Sequence, residues 1–259
     1  RGDAYPGTEE EAAAASLDSV LARLREIPEY VQLFRTAFTK VANETEVAAV
    51  ITKSTYSRAI AAYERELVTC NSPYDRYVNG DNDALTEVQK RGLELFFTKA
   101  KCATCHNGPM FSDYRFIVQG VPQEGSGMAV IAKDDTGREE HTRDPADRYA
   151  FRVLTLRNVE LTAPYMHDGV FETLEDVVRF YNDGAQPRHT SVTEDMMDPV
   201  VIQPLGLTEL EVFALVEFMK GLTDPGSMLD FVLLTVPESV PSGLVPVFGV
   251  RAVGGLTAR

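Results

Sequence analysis

Apolar residues recur at every third or fourth position over several stretches of the chain, with charged residues between them. This spacing places the apolar side chains on one face of a helix, so the predicted fold is mostly α. The predicted helices cover 9–25, 30–40, a longer stretch from 45 to 67, 86–97, 173–184 and 208–221. One buried stripe is predicted along the longer helix, formed by Val50, Ile51, Tyr56, Ile60, Tyr63 and Leu67.

Polar residues indicate where the helices begin and where loops lie. Thr86 and Thr173 stand where a hydroxyl can accept a hydrogen bond from a free backbone N–H of the first helical turn. Between Gly120 and Arg148 the chain is rich in Gly, Asp and Arg and poor in apolar residues, which predicts a long surface loop with short strands. The tail from Leu229 contains prolines and glycines and is predicted to be extended.

The charge of the chain excludes some classes of function. With 39 acidic and 25 basic residues its formal charge is −14, whereas nucleic-acid binding needs a basic stripe, so no nucleic-acid partner is expected. No apolar run approaches the roughly 18 residues that a membrane-spanning helix requires, so the chain is not expected to span a membrane. The opening Arg1-Gly2-Asp3 lacks the apolar segment of a signal peptide.

Two of the three cysteines lie in the motif Cys102-Ala103-Thr104-Cys105-His106. Cys-x-x-Cys-His attaches haem c, because both thiols can bond one porphyrin and the imidazole can ligate its iron. A zinc site would need two more thiolates or imidazoles at matching spacing, and a thioredoxin-like motif would follow a strand rather than a helix. One covalent haem c is therefore expected. Since haem attachment takes place outside the cytoplasm, we expect a periplasmic or otherwise exported protein whose export signal has been removed or is not included in this sequence.

The second axial ligand of the iron decides whether the haem transfers electrons or admits peroxide. The residues alone leave several candidates open: Met110, Met166, His167, Tyr181, Met196, Met197 and Met219. His141 and His189 lie in polar segments and are expected to be solvated. Cys70, the remaining cysteine, is expected to be a semi-buried structural residue at the end of a helix.

Six segments around the haem motif form a series along the chain. They are NSPYDRY (71–77), LTEVQKRG (85–92), NGP (107–109), YAFR (149–152), TLRNV (155–159) and LTAPYMHDG (161–169). In this order, over roughly positions 10 to 245, the sequence resembles the bacterial di-haem cytochrome c peroxidase and MauG family. It is similar to the C-terminal haem domain of that family, which receives electrons, whereas the N-terminal haem domain binds peroxide.

The resemblance implies roles for particular residues. The family's sixth ligand lies fourteen residues after the histidine at position 167, which places Tyr181 there. The ligand is Met in the peroxidases and Tyr in the MauG-like branch, and an anionic phenolate would give the haem a low reduction potential. Backbone oxygens of Thr162 and Pro164 are implied to help hold a calcium ion between the haem domains. Arg157 and His167 are implied to hydrogen-bond the haem propionates or the domain interface.

The sequence also departs from the family pattern. One Cys-x-x-Cys-His motif implies that the peroxide-binding haem domain is missing from these 259 residues, and without Trp the chain cannot supply the usual aromatic relay between haems. Leu154 stands where the family usually has proline, which leaves the turn before Thr155 less constrained. The expected domains are a helical N-terminal segment, 1–80, and a c-type cytochrome domain, 81–259, with long loops, few short strands and the extended tail.

The favoured hypothesis is the electron-transfer half of a di-haem peroxidase or MauG-like oxidase that uses hydrogen peroxide. Its expected partners are a second haem domain or chain and a redox protein that donates electrons. The alternative is a mono-haem electron-transfer cytochrome, free or in a complex, without peroxidase turnover. A haem that serves only as a structural staple is the least favoured possibility.

Overall fold

The computed structural model describes residues 9–66, 69–130, 134–226 and 240–243. The described residues are mostly helical, as predicted, with one small antiparallel sheet. Contacts divide the chain into two compact units, of which one contains the helices between residues 9 and 66 and the other runs from Thr69 to Met228. Within the described part of the chain, no helix combines the length and apolarity needed to cross a membrane.

The described part of the first unit contains four α-helices and one 3-10 turn, Thr39–Val41. The helices are α1 (Glu9–Arg25), α2 (Pro28–Ala37), α3 (Val47–Val50) and α4 (Lys53–Glu66). Leu21, Val31, Val50 and Ile51 form its buried core. The predicted α1 is confirmed, and α2 starts two residues before its predicted beginning because a proline is favourable in the first helical turn.

The prediction of one continuous helix from 45 to 67 is wrong, because the chain forms two helices there. The backbone is extended at Ile51, and the Thr55 hydroxyl donates to the Val50 carbonyl oxygen, so α3 and α4 are separate helices. The predicted buried stripe does not continue along α4, where Ile60 and Tyr63 are 43% and 50% exposed. Leu67, its last member, lies outside the described residues.

The second unit contains the longer helices that were predicted around the haem motif. Its helices are α5 (Pro73–Val78), α6 (Glu87–Phe97), α7 (Glu139–Thr142), α8 (Leu174–Asn182) and α9 (Glu209–Lys220). Thr86, Thr173 and Thr208 each accept from the N–H three residues later in a capping box, which confirms the predicted helix starts. Phe96 and Phe218 meet edge to face with centroids 5.2 Å apart in the core between α6 and α9.

The sheet has two short strands on either side of the long loop. Strands β1 (Phe116–Val118) and β2 (Ala150–Arg152) pair antiparallel, with Ile117 opposite Phe151. The described residues of the loop carry little regular structure apart from α7 and short 3-10 turns, as predicted. The short strands predicted within Gly120–Arg148 are not found among these residues, since β1 and β2 flank the segment; residues 131–133 are not described. Because side chains alternate along a strand, Ile117 and Gln119 share one face and Val118 points to the other.

The compact unit around the haem motif begins earlier than the predicted boundary between residues 80 and 81. Helix α5 belongs to this unit, because the backbone N–H of Tyr74 donates to the Gly221 carbonyl oxygen and Asp75 forms an ion pair with Arg157. Contacts thus group the residues from Thr69 onward with the haem motif, and the division into a helical segment and a cytochrome domain stays a prediction. Apart from residues 240–243, the tail predicted to be extended from Leu229 lies outside the described residues.

Candidate functional site

The Cys-x-x-Cys-His motif forms a tight turn directly after α6. Lys101 adopts a left-handed backbone conformation (φ 56°), and a 3-10 turn over Cys102–Thr104 follows. The backbone N–H groups of Cys105 and His106 both donate to the Cys102 carbonyl oxygen, at 3.2 and 2.9 Å. This turn brings both sulfur atoms and the imidazole to one cleft, as attachment of a single porphyrin requires.

The imidazole of His106 is oriented by its own backbone loop. Its Nδ1 lies 2.9 Å from the Phe111 carbonyl oxygen, to which it can only donate, so the proton is on Nδ1 and the lone pair on Nε2. Burial lowers the pKa of His106, which favours the neutral imidazole. The loop itself is held by the Ser112 hydroxyl, which donates to the Val153 carbonyl oxygen at 2.7 Å. His106 is therefore prepared to ligate a metal through Nε2.

The two thiols do not have the character of a disulfide-exchange pair. Burial raises the pKa of Cys102 to about 12 and also raises the pKa of Cys105, so both are neutral at ordinary pH. Redox-active cysteines have a lowered pKa instead. Nowhere among the described residues do three or more His, Cys, Asp or Glu side chains gather as a metal site would require.

The cleft is mainly apolar and opens to solvent on one side. The space inside it, counted together with the solvent at its open side, is about 490 Å³. Its walls consist of Ala100, Lys101, Cys102, Cys105, His106, Ile117, Gln119, Tyr181, Val200, Val201 and Leu205. Apolar walls, two neutral thiols and an imidazole whose Nδ1 is bound by the Phe111 carbonyl oxygen fit a haem c.

Tyr181 reaches this cleft from the last turn of α8. Buried Leu174, Val178 and Phe180 hold the helix against the core, while Tyr181 lines the cleft together with Cys102. Burial raises the pKa of the Tyr181 phenol, and the two nearby thiols act in the same direction. The Gln119 amide Nε2 donates to the phenol oxygen at 2.7 Å, which opposes this rise.

The other candidates for the sixth ligand do not line the cleft. Met110 is 41% exposed, and Met219 lies in the core beside α6. Met166, Met196 and Met197 belong to the apolar cluster against which Tyr181 also packs, but none of the three lines the cleft. Of the candidates for the sixth ligand, Tyr181 lines the cleft together with the haem motif.

Arg157 lies in an ion pair instead of in the cleft. Its two terminal nitrogens each donate to one Asp75 carboxylate oxygen at 2.9 Å, and its Nε donates to the Pro109 carbonyl oxygen. Burial alone would raise the pKa of Asp75, but hydrogen bonds from Arg157 and Ser72 outweigh it and lower that pKa. The guanidinium therefore joins α5 to the loop that follows His106.

His167 lines a second, smaller cavity, which shares Gln119 with the cleft. Its ring stacks on Phe151 with centroids 3.9 Å apart, and its buried Nε2 has no hydrogen-bond partner among the described residues. The expectation that His189 is solvated is wrong, because its side chain is only 12% exposed and its ring packs against Tyr149. The polar sequence around His189 does not show that a distant segment packs against its side chain.

The remaining predicted positions lie at the surface. Thr162 and Pro164, implied as calcium ligands, are exposed, and calcium binding by their backbone oxygens stays a prediction. His141 is exposed, as expected. Cys70 is also exposed, which corrects the expectation that it is semi-buried. Leu154 is 67% exposed and follows β2.

Gln119 is the site residue that sequence reasoning missed. It comes directly after the apolar β1 and two positions after Ile117, so period-two alternation could have assigned both to one face. The alternation does not show which face of β1 lies against the haem motif, because that contact depends on how distant segments fold.

The chain is similar to known haem peroxidases in sequence and in structure. Residues 4–83 match the family model described as di-haem cytochrome c peroxidase. The cytochrome-c peroxidase IdrP2 of Denitromonas iodatirespirans is 34% identical over 253 residues, which is 89% of this chain and 63% of that protein. The methylamine utilization protein MauG of Methylorubrum extorquens is 34% identical over 209 residues, which is 80% of this chain and 53% of that protein.

A solved structure shows the same likeness. The crystal structure of a MauG-like protein associated with microbial copper homeostasis has a TM-score of 0.65 and 30% identity, and the match covers 83% of this chain and 64% of that one. The chain thus spans less than two thirds of the length of these relatives. Family model, sequence identity and fold agree, and the chain belongs to the di-haem cytochrome c peroxidase and MauG family of haem c oxidoreductases.

Proposed function

We propose that this chain is the electron-transfer half of a di-haem peroxidase or MauG-like oxidase that uses hydrogen peroxide. The observation that carries the proposal is the single cleft in which the Cys-x-x-Cys-His motif meets Tyr181. One haem c would be bound covalently by Cys102 and Cys105 and ligated by His106 and Tyr181. Bound there, the haem supplies a redox-active iron.

The residues around the cleft would control the environment of that iron. The hydrogen bond from His106 Nδ1 to the Phe111 carbonyl oxygen increases the donor strength of Nε2, because it places partial negative charge on the ring. Tyr181, as an anionic ligand, would stabilise the ferric state and lower the reduction potential. Ile117, Val201 and Leu205 line the cleft with apolar surface and would exclude water.

Peroxide reduction would need components outside this chain. Because one haem motif is present and the chain spans less than two thirds of its relatives, a second haem domain or partner chain would bind the peroxide. A separate redox protein would donate electrons. We also propose that backbone oxygens of Thr162 and Pro164 help hold a calcium ion. The same proposal includes an exported location for the protein.

A mono-haem electron-transfer cytochrome is the second candidate. The single Cys-x-x-Cys-His motif supports it, because one six-coordinate haem is sufficient for reversible electron transfer. The two functions differ in the number of haems in the natural full-length protein and in their response to peroxide.

The haem site is tested by removing its thiols. We expect the double variant Cys102→Ala, Cys105→Ala to lose covalent haem, because no thioether can form, and to lose stability because the apolar cleft is left unfilled. Pyridine haemochrome after acid–acetone extraction measures the covalent haem. Cys70→Ala, an exposed cysteine outside the cleft, is the matched control and should keep its haem. Covalent haem in the double variant would refute the site.

The function is tested on the natural full-length protein by haem counting and peroxide consumption with a reduced small cytochrome as donor. Two haems and steady peroxide turnover, abolished in the Cys102→Ala, Cys105→Ala variant, would support the peroxidase proposal. One haem that is reduced reversibly and does not consume peroxide would replace it with the electron-transfer cytochrome.

A further inference from the structure

A hydrogen bond holds the phenol of Tyr181 at the cleft. Gln119 Nε2 lies 2.7 Å from the Tyr181 hydroxyl oxygen and donates to it. Within the described part of the chain, no other side chain is seen to hydrogen-bond this hydroxyl. Both residues line the cleft that contains the haem motif.

The backbone around Gln119 is fixed on both sides. Val118, its predecessor, pairs with Ala150 of β2 and accepts from the Asp198 N–H. Gly120, its successor, accepts from the His189 N–H and has φ +73°, where a Cβ would lie 3.0 Å from Met197. The side chain of Gln119 therefore extends into the cleft from a rigid position.

The direction of the hydrogen bond matters chemically. An amide N–H can donate to a phenol oxygen whether that oxygen carries a proton or is bound to a metal. A carboxylate at the same place could only accept, and would keep the proton on the phenol. Donation from Gln119 thus leaves the oxygen free to act as a ligand, whereas acceptance would compete with that role.

We propose that Gln119 is the positioning residue that holds the Tyr181 oxygen in its ligating place and favours its bond to the haem iron. This inference rests on the ligand role of Tyr181 in the proposed function. Gln119 acts through Tyr181 and touches no thiol or imidazole of the motif by a hydrogen bond in the described residues. The residue therefore tunes the haem without belonging to its covalent attachment.

Two variants test the proposal. Gln119→Leu removes the donor without adding a sulfur that could ligate the iron, and Gln119→Glu replaces the donor with an acceptor. In both we expect the ratio of six-coordinate to five-coordinate ferric haem to fall about tenfold or more, as for the loss of a hydrogen bond to a charged group. Optical and electron paramagnetic resonance spectra measure this ratio, and the midpoint potential should become more positive. Covalent haem content and thermal unfolding are measured first, and if the Leu variant does not fold the Glu variant supplies the result.

Two controls separate this role from others. Gln123→Leu alters a glutamine that lines the second cavity but not the cleft, and its spectrum should stay unchanged. In a Tyr181→Phe background, both Gln119 substitutions should change neither the spectrum nor the potential further. Unchanged spectra in both Gln119 variants, a change in the Glu variant alone, or an undiminished effect without Tyr181 would each overturn the proposal. An unchanged spectrum in Tyr181→Phe itself would instead remove the ligand role on which the inference rests.

Discussion

The two side chains that we propose as haem ligands are each oriented by a hydrogen bond. His106 is held through Nδ1 by the Phe111 carbonyl oxygen, which leaves Nε2 available, and Tyr181 is held through its hydroxyl by Gln119. Orientation of this kind reduces the freedom that a ligand must lose when it binds a metal, and it selects which atom binds. At the residue scale, the site therefore depends on partners outside the motif as well as on the motif.

Removal of the Tyr181 hydroxyl should open one axial position of the haem. We expect Tyr181→Phe to convert a low-spin, six-coordinate spectrum to a high-spin, five-coordinate one, because the phenyl ring keeps its place but has no oxygen to donate. The midpoint potential should rise, since an anionic ligand stabilises ferric iron. Absorption spectra and potentiometric titration check both effects.

Tyr165→Phe is the matched control for this prediction. Tyr165 is half-buried, and burial raises the pKa of its phenol, but it does not line the cleft. Its substitution should leave the spectrum unchanged. A low-spin spectrum that survives in Tyr181→Phe would transfer the ligand role to another candidate, such as Met166 or His167.

Helices α6 and α9 pack against each other, and the haem motif follows α6 directly. Gly92 allows them to approach closely, because a Cβ at this position would lie 2.0 Å from the Ala214 carbonyl oxygen. Phe96 and Phe218 fill the adjacent space. Since the motif begins five residues after Phe97, the position of α6 sets the position of the turn that carries both thiols.

Substitution of Gly92 tests the packing of these helices. We expect Gly92→Ala to lower the free energy of unfolding by about 1–3 kcal/mol, the usual cost of overpacking. This loss should exceed the gain of about 1 kcal/mol in helix propensity, because the obstructing atom belongs to the backbone of α9. Chemical denaturation measures the change. Glu94→Ala, at an exposed position of α6, should change stability little, and an equally small effect at Gly92 would contradict the close approach.

At the scale of the whole unit, Arg157 and Asp75 join segments that are distant in sequence. Both side chains are 10% exposed, and Arg157 also donates to the carbonyl oxygens of Thr69 and Pro109. The pair therefore connects α5, the segment after β2 and the loop behind His106. Removal of one partner from such a buried pair leaves the other charge unsatisfied.

Neutralisation of Asp75 should weaken the second unit strongly. We expect Asp75→Asn to lower the free energy of unfolding by about 3–5 kcal/mol at neutral pH, because the Arg157 guanidinium loses its charged partner. The pKa of Asp75 is lower in the folded protein than its ordinary value of 3.8, so the folded state binds fewer protons. The contribution of the pair is therefore complete above that ordinary value and is lost as pH falls through the lower folded pKa.

The pH dependence gives this prediction a second measurement. The stability difference between wild type and Asp75→Asn should be largest at neutral pH and should shrink in acid, when the wild-type carboxyl is protonated. Chemical denaturation of the haem-loaded chain at several pH values checks it. Asp195→Asn, at an exposed position, is the control and should show no such trend. A difference that stays constant into acid would rule out the ion pair as its source.

Several features could be predicted from the sequence because they depend on local spacing. Cys102, Cys105 and His106 are adjacent in the chain, so their shared role follows from the motif, and Thr86 and Thr173 define helix starts through contacts three residues away. The mostly helical fold class follows in the same way from apolar periodicity. The family resemblance, carried by short segments in a fixed order, was confirmed by the similarity to known peroxidases.

Other features were decided by the tertiary structure alone. The burial of His189, the pairing of Arg157 with Asp75, the break after Val50 and the approach of Gln119 to Tyr181 all depend on residues that meet only after folding. Local sequence specifies the conformations that a segment prefers, whereas the burial and the hydrogen-bond partner of a side chain are set by whichever distant segment packs against it. The sequence by itself therefore determined the haem motif and the helices, and the fold determined which side chains surround the haem site.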